Sequence, residues 1–126
     1  MGLCLFPGDG DVTSPDLSLS CTSFHRFRQR LAQAEGFELS QMQRFGGDRL
    51  WSDVSTTLEP LLDHPDDDGE LSAAQCGAVI PRLEQIAARW EADGGDAVMQ
   101  QHIDYCHQLV VVMKFCVAED VELIFG

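Results

Sequence analysis

The sequence predicts an α+β fold: a predominantly helical single globular domain over residues 1–126, with a small sheet formed by the terminal strands. Apolar stripes with helical spacing fill the second half of the chain, and short apolar runs stand near both ends, at residues 3–6 and 121–125. No internal repeat or low-complexity linker divides the chain. With 126 residues, 44% of them hydrophobic, it can bury a core without disulfides or metals.

The first two elements are predicted to be short strands. Residues 3–6 form an apolar run that a Pro-Gly-Asp-Gly turn at residues 7–10 ends. Apolar and serine residues then alternate over residues 17–21, as is typical of a half-buried strand. The run at residues 121–125 is also strand-like, and we expect it to pair with the first strand and close the sheet.

A helix is predicted next, capped by Thr22 or Ser23 and ended by Gly36. Its buried face is predicted to carry Phe24, Phe27 and Leu31. Its other face carries a basic group made of His25, Arg26, Arg28 and Arg30. This group is unusual in an acidic chain, and it is predicted either to neutralise acidic residues internally or to bind an anion.

The remaining elements are predicted to be helical. Residues 37–45 and 54–62 have helical spacing, and Ser72 with Gln75 resembles a capping box. Pro81 interrupts the next apolar stripe, which predicts a kink or two abutting helices. Asp96 is predicted to cap the last helix. The predicted core includes Leu83, Ile86, Trp90, Ile103, Leu109, Val110 and Met113.

The charge balance limits the classes of partner. There are 21 acidic and 8 basic residues, and the net charge is -13. Such a charge repels nucleic acid and anionic membranes, so neither is an expected partner. It suits a cation, a basic protein partner, or solubility alone. The oligomeric state stays open, and a homodimer is among the options because residues 109–113 are apolar all round.

Five cysteines at wide spacings contain no Cys-x-x-Cys pair, which makes a poor disulfide framework and a poor zinc site. Cys76, Cys106 and Cys116 fall within apolar helical patterns and are predicted to be buried thiols. The chain start lacks the pattern of a secretory signal, and no apolar run is long enough to span a bilayer. These features predict a cytoplasmic protein.

The acidic segment at residues 63–75 resembles a degenerate EF-hand loop. Asp66, Asp68 and Gly69 match its third, fifth and sixth positions. The candidate metal ligands are Asp63, His64, Asp66, Asp68, Glu70, Ser72 and Gln75. His64 replaces the usual first aspartate and Gln75 the usual bidentate glutamate, so calcium binding is predicted to be weak, with a dissociation constant on the order of 10⁻⁴ M or poorer. The alternative is a solvated corner between two helices.

Residues 61–71, followed by Gln75-Cys76 and the Pro-Arg-Leu run at residues 81–83, resemble an uncharacterised family of small bacterial proteins. Its members share a histidine and two aspartates before a glycine, then a cysteine and a Pro-Arg-Leu run. Residues 24–31 are similar to the family's early helix. The resemblance implies a bacterial origin and a compact single domain, and it implies no activity.

No hydrolase, P-loop, dinucleotide-binding or zincin signature is present, and no catalytic residue is predicted. His102 and Cys106 share a helix face, but two ligands do not make a metal site. The leading prediction is a non-enzymatic acidic binding protein, either inhibitor- or immunity-like toward a basic partner or a weak binder of divalent cations. The alternative is a metal-dependent enzyme or factor that uses Asp66 and Asp68 as ligands.

Overall fold

The computed structural model describes residues 2–11, 13–63 and 69–126, and within them the predicted α+β fold is confirmed. More than half of the chain is helical, and the strands form one small antiparallel sheet. The strands are β1 (Gly2–Pro7), β2 (Leu17–Ser20), β3 (Glu70–Leu71) and β4 (Leu123–Phe125). The α-helices are α1 (Cys21–Ala34), α2 (Glu59–Leu62), α3 (Ala73–Asp93) and α4 (Ala97–Glu119).

The sheet has the strand order β2-β1-β4-β3, so the terminal strands β1 and β4 lie side by side at its centre, as predicted. Phe6 in β1 lies opposite Ile124 in β4. Leu3 in β1 lies opposite Leu19 in β2. The strand β3 was not predicted, because it is only two residues long and lies inside an acidic segment; its pairing with β4 forms it.

Side-chain caps set the starts of α1, α3 and α4. Asp96 caps α4 by accepting a hydrogen bond from the Met99 amide, as predicted. The predicted cap of α1 is wrong by two or three positions. Ser20 is the cap, and its hydroxyl accepts from the Ser23 amide at 2.9 Å, because β2 runs directly into the helix.

The helix α3 continues through Pro81, so the expectation of two abutting helices is wrong. Pro81 lies on the exposed side of α3, where the carbonyl it leaves unpaired can face water. The expected helix at residues 37–45 reduces to a single 3-10 turn at Leu39–Gln41, and the expected helix at residues 54–62 reduces to α2.

The core lies between the inner face of the sheet and the helices α1, α3 and α4. All seven predicted core residues are buried, at 0–8% exposure. The cysteines of α3 and α4, which are Cys76, Cys106 and Cys116, are fully buried thiols, as predicted. Burial raises the pKa of Cys76 and of Cys106 to about 12, so neither is a thiolate at neutral pH.

Candidate functional site

The outer face of the sheet carries apolar side chains that are only half-buried. Along β1, Leu3 and Leu5 point into the core, so Cys4 and Phe6 point to the opposite face. Ile124 lies opposite Phe6 on that same face. Sheet pairing thus joins an early and a late residue of the chain into one apolar floor.

The connection between β1 and β2, at residues 8–16, folds over this floor and leaves a groove of about 520 Å3. That volume lies within the range of about 300–1,000 Å3 that is typical of ligand pockets. The floor consists of Cys4, Phe6 and Ile124, Pro7 lines the groove at the end of β1, and the connection contributes Gly8, Gly10, Asp11, Ser14 and Asp16. A Cβ atom on Gly8 would lie 3.1 Å from Cδ1 of Ile124, so a glycine lets the chain pass close to the floor.

Hydrogen bonds within the connection hold its carboxylates in place. Asp9 accepts from the Asp11 amide at 3.1 Å and from the Ser14 hydroxyl at 2.6 Å. Asp11 in turn accepts from the amide of Thr13 at 2.9 Å and from its hydroxyl at 2.7 Å. These two bonds stabilise the ionised form, so they hold the pKa of Asp11 below its ordinary value of 3.8. The hydrogen bonds therefore hold the Asp9 and Asp11 carboxylates in position and favour the ionised form of Asp11.

Cys4 lies where this groove meets a second hollow. Its thiol donates to Asp16 at 3.8 Å and accepts from the Ser18 hydroxyl at 3.6 Å. The second hollow, of about 470 Å3, is lined by Leu3, Cys4, Ser18, Leu19 and Gly126. Cys4 thus contributes to the lining of both hollows.

The groove carries charge of one sign. Among the described residues that line it, Asp11 and Asp16 are charged and none is basic. Asp9 is also exposed in the same connection, although it does not line the groove. An apolar floor bordered by carboxylates suits a ligand with both an apolar body and a positive charge. This site was not predicted from the sequence, in which the continuous apolar run at residues 3–6 was the available signal.

The central part of the predicted EF-hand-like segment, including His64, Asp66 and Asp68, lies outside the described residues, so ligation there stays a prediction. The structure does place the other predicted ligands. Asp63 accepts a hydrogen bond from Arg44 at 3.0 Å. Glu70 lies in β3, opposite Ile124.

Ser72 and Gln75 form the predicted capping box of α3. The Ser72 hydroxyl accepts from the Gln75 amide at 3.1 Å, and the Gln75 side-chain oxygen accepts from the Ser72 amide at 2.8 Å. Both side-chain oxygens therefore already accept hydrogen bonds from backbone amides at the start of α3. Within residues 2–11, 13–63 and 69–126, no three His, Cys, Asp or Glu side chains come together as metal ligands.

The predicted basic face of α1 needs a correction at Arg28, which is fully buried. Its guanidinium lies 4.5 Å from the ring centroid of Phe24 and 5.3 Å from that of Phe45. It also donates to the Leu62 carbonyl at 3.4 Å. Burial lowers the pKa of Arg28 to about 10, which the negative charge of Asp63 partly opposes. The helical spacing indicated this burial, because Arg28 lies one turn after the buried Phe24 on the same face of α1.

His102 is also buried, at 5% exposure, and does not form a metal site with Cys106. The rings of Phe27 and Trp90 lie 6.1 and 6.3 Å from the imidazole. In the described part of the chain, Nδ1 of His102 has no hydrogen-bond partner. Burial, and then the positive charge of Arg30, lower the pKa of His102. It is therefore a neutral core residue at physiological pH.

No protein-family model, curated protein or solved structure matches this chain. Among the described residues, no helix has both the length and the apolar character needed to cross a membrane.

Proposed function

We propose that the protein is a non-enzymatic acidic binding protein that holds a basic partner on the outer face of its sheet. One observation carries this proposal: a groove with an apolar floor has Asp11 and Asp16 as its charged lining residues. A lysine or arginine side chain matches that combination, because its stem can lie on Phe6 and Ile124 while its cationic end meets the carboxylates.

The chemistry of the lining favours binding over catalysis. The groove offers two carboxylates, the Ser14 hydroxyl and the Cys4 thiol, and no imidazole among its described lining residues. A thiol or hydroxyl nucleophile is normally activated by an adjacent base such as histidine. Here the hydrogen-bond partners of the Cys4 thiol are the Asp16 carboxylate and the Ser18 hydroxyl, and neither is an imidazole.

The net charge of -13 supports the same class of partner. A strongly negative surface attracts a positively charged protein and raises its association rate. An inhibitor or immunity-like protein directed against a basic enzyme gains directly from this steering. The groove would then supply the specific contact and the overall charge the fast encounter.

Weak calcium binding through Asp66 and Asp68 is the second candidate, and two observations favour it. Gly69 has a φ of 90°, as the sharp turn at the sixth EF-hand position needs, and Leu71 is buried, as the eighth position needs. The ion pair between Asp63 and Arg44 counts against it, because it already neutralises one of the candidate ligands. A metal-dependent enzyme that uses the same two aspartates would need this site to bind its ion.

Matched charge variants test the groove proposal. We expect a double variant at the groove, Asp11→Asn with Asp16→Asn, to bind a short peptide of alternating valine and arginine about 3- to 10-fold more weakly than the parent protein. The control changes two remote exposed acids, Asp53→Asn with Asp104→Asn, and has the same net charge. Equal affinities for the two double variants, measured by titration calorimetry, would exclude the groove as the binding site.

A further inference from the structure

The edge strand β2 points backbone groups outward, near the groove, and among the described residues no strand pairs with this edge. Cys4 and Gly126 exchange both backbone hydrogen bonds, at 2.8 and 2.9 Å, so the N–H and C=O of Cys4 point toward β4. Cys4 lies opposite Ser18 in the β1–β2 pair. In an antiparallel ladder, Cys4 and Ser18 then form a non-hydrogen-bonded pair, and the N–H and C=O of Ser18 point away from β1.

This edge is accessible and carries no side-chain protection of the usual kinds. β2 lies at one end of the described sheet, and Ser18 and Ser20 are exposed. Natural edge strands are often protected by lysine, proline or an inward-pointing charge, and the four residues of β2 include none of these. Its shortness limits the area available, so a single added strand of a few residues fits it.

The charge near the edge determines which strand it can accept. Asp16 lies immediately before β2, and its carboxylate lines the groove. A second copy of the chain would bring another net charge of -13 against the same surface, which disfavours self-association through this edge. A basic strand is attracted instead, and its alternate side chains would point to the outer face beside Ser18, with Cys4 and the groove one strand further in.

We infer that the basic partner binds by β-strand addition: an extended segment pairs antiparallel or parallel with β2 and sends alternate lysine or arginine side chains toward Asp16 and the groove. The inference rests on the proposed function and specifies its binding mode. Main-chain hydrogen bonds to Ser18 would supply affinity, and the groove would select the side chains.

Two changes test the mode, one in each partner. On the protein, Ser18→Pro removes the outward N–H, and proline is tolerated on an edge strand when that N–H faces solvent. Ser18→Ala is the control, because it keeps the backbone donor. We expect Ser18→Pro to weaken binding of the valine–arginine peptide about tenfold and Ser18→Ala to leave it within about twofold.

On the peptide, N-methylation of alternate residues removes its donors and leaves the protein unchanged, so this arm does not depend on how Ser18→Pro folds. Two peptides are compared, one N-methylated at every valine and the other at every arginine. We expect one of them to bind the protein about tenfold more weakly than the other. If the unmethylated peptide binds the protein and both methylated peptides bind it with the same affinity, strand addition is overturned while the groove proposal stands. If the valine–arginine peptide binds no better than a valine–glutamate peptide, the proposed function itself fails.

Discussion

The two acidic regions of this protein differ in the groups that contact their carboxylates. At residues 8–16, the carboxylates of Asp9 and Asp11 are held by amide and hydroxyl donors of the same connection. At the start of the segment at residues 63–75, Asp63 pairs with Arg44, and the buried guanidinium of Arg28 binds the adjacent Leu62 carbonyl. The more acidic sequence segment thus begins beside one exposed cation, Arg44, and one buried cation, Arg28, whereas the less conspicuous one presents its charge at an apolar groove.

The difference shows that a count of acidic residues does not locate a binding surface. Hydrogen bonds from neutral donors leave the net charge of a carboxylate in place, whereas a guanidinium cancels it. The first region therefore retains a field that can attract a basic partner. In the second region, the ion pair between Asp63 and Arg44 cancels part of the negative charge within the protein itself. The substitutions and conditions that follow each alter one of these two acidic regions.

The largest effect is expected at Arg28. Replacing Arg28 with Met keeps much of the packing but leaves the Leu62 carbonyl without this buried donor, so we expect the free energy of unfolding to fall by about 1–3 kcal/mol. The exposed neighbour Arg26, replaced in the same way, should change it by less than about 0.5 kcal/mol. Urea denaturation measures both variants, and equal stabilities would show that Arg28 does not anchor the acidic segment.

The second effect concerns calcium. If the segment at residues 63–75 binds the ion only when folded, about 2–5 mM calcium should raise the free energy of unfolding by about 1–2 kcal/mol, and magnesium should raise it less. Asp68→Ala should abolish the gain. Asp67→Ala, which removes the same charge at a position whose side chain is not a ligand, should preserve it. Identical thermal melts in calcium and in chelator, at matched ionic strength, would end the calcium hypothesis.

The third effect concerns pH and is smaller. Hydrogen bonds from Thr13 hold the pKa of Asp11 below 3.8 in the folded protein. Since the folded pKa is depressed, the stabilisation from these bonds is fully present above the unfolded pKa and is lost as the pH falls through the folded pKa. The groove should therefore stay charged, and peptide affinity constant, from about pH 8 to about pH 5.

The Asp11 carboxyl can be titrated directly by carbon-detected NMR, with a short unfolded peptide that contains the same residues as the control. We expect the midpoint in the protein to lie below that in the peptide. Thr13→Val, which removes the hydroxyl donor, should raise the Asp11 midpoint toward the peptide value. A midpoint in the parent protein equal to that of the peptide would contradict the fixed charge at the groove.

Much of the fold could be predicted from local patterns. The helical stripes gave the core residues of α3 and α4, and the two terminal apolar runs gave the central strands. The element β3 could not be found in this way, because two residues in an acidic segment become a strand only through pairing with β4. The buried position of Arg28 was missed because its charge suggested exposure, although its helical position one turn after Phe24 indicated burial.

The candidate site was harder to predict, because its floor and its wall come from distant parts of the chain. Phe6 and Ile124 meet only through the register of β1 and β4. The groove itself exists because residues 8–16 return over the sheet, and hydrogen bonds among Asp9, Asp11 and Ser14 determine that path. Composition indicated an acidic surface and a basic partner, but not where the two would meet.

The position of the bound basic peptide tests the contrast between the two acidic regions most directly. The parent protein, labelled with ¹⁵N, is titrated with the valine–arginine peptide, and the amide shifts are mapped by residue. The groove proposal predicts that the largest changes fall at Cys4, Phe6, Asp16, Ser18 and Ile124. Largest changes at residues 63–75 would contradict it, because the partner would then bind the region that begins beside Arg28 and Arg44.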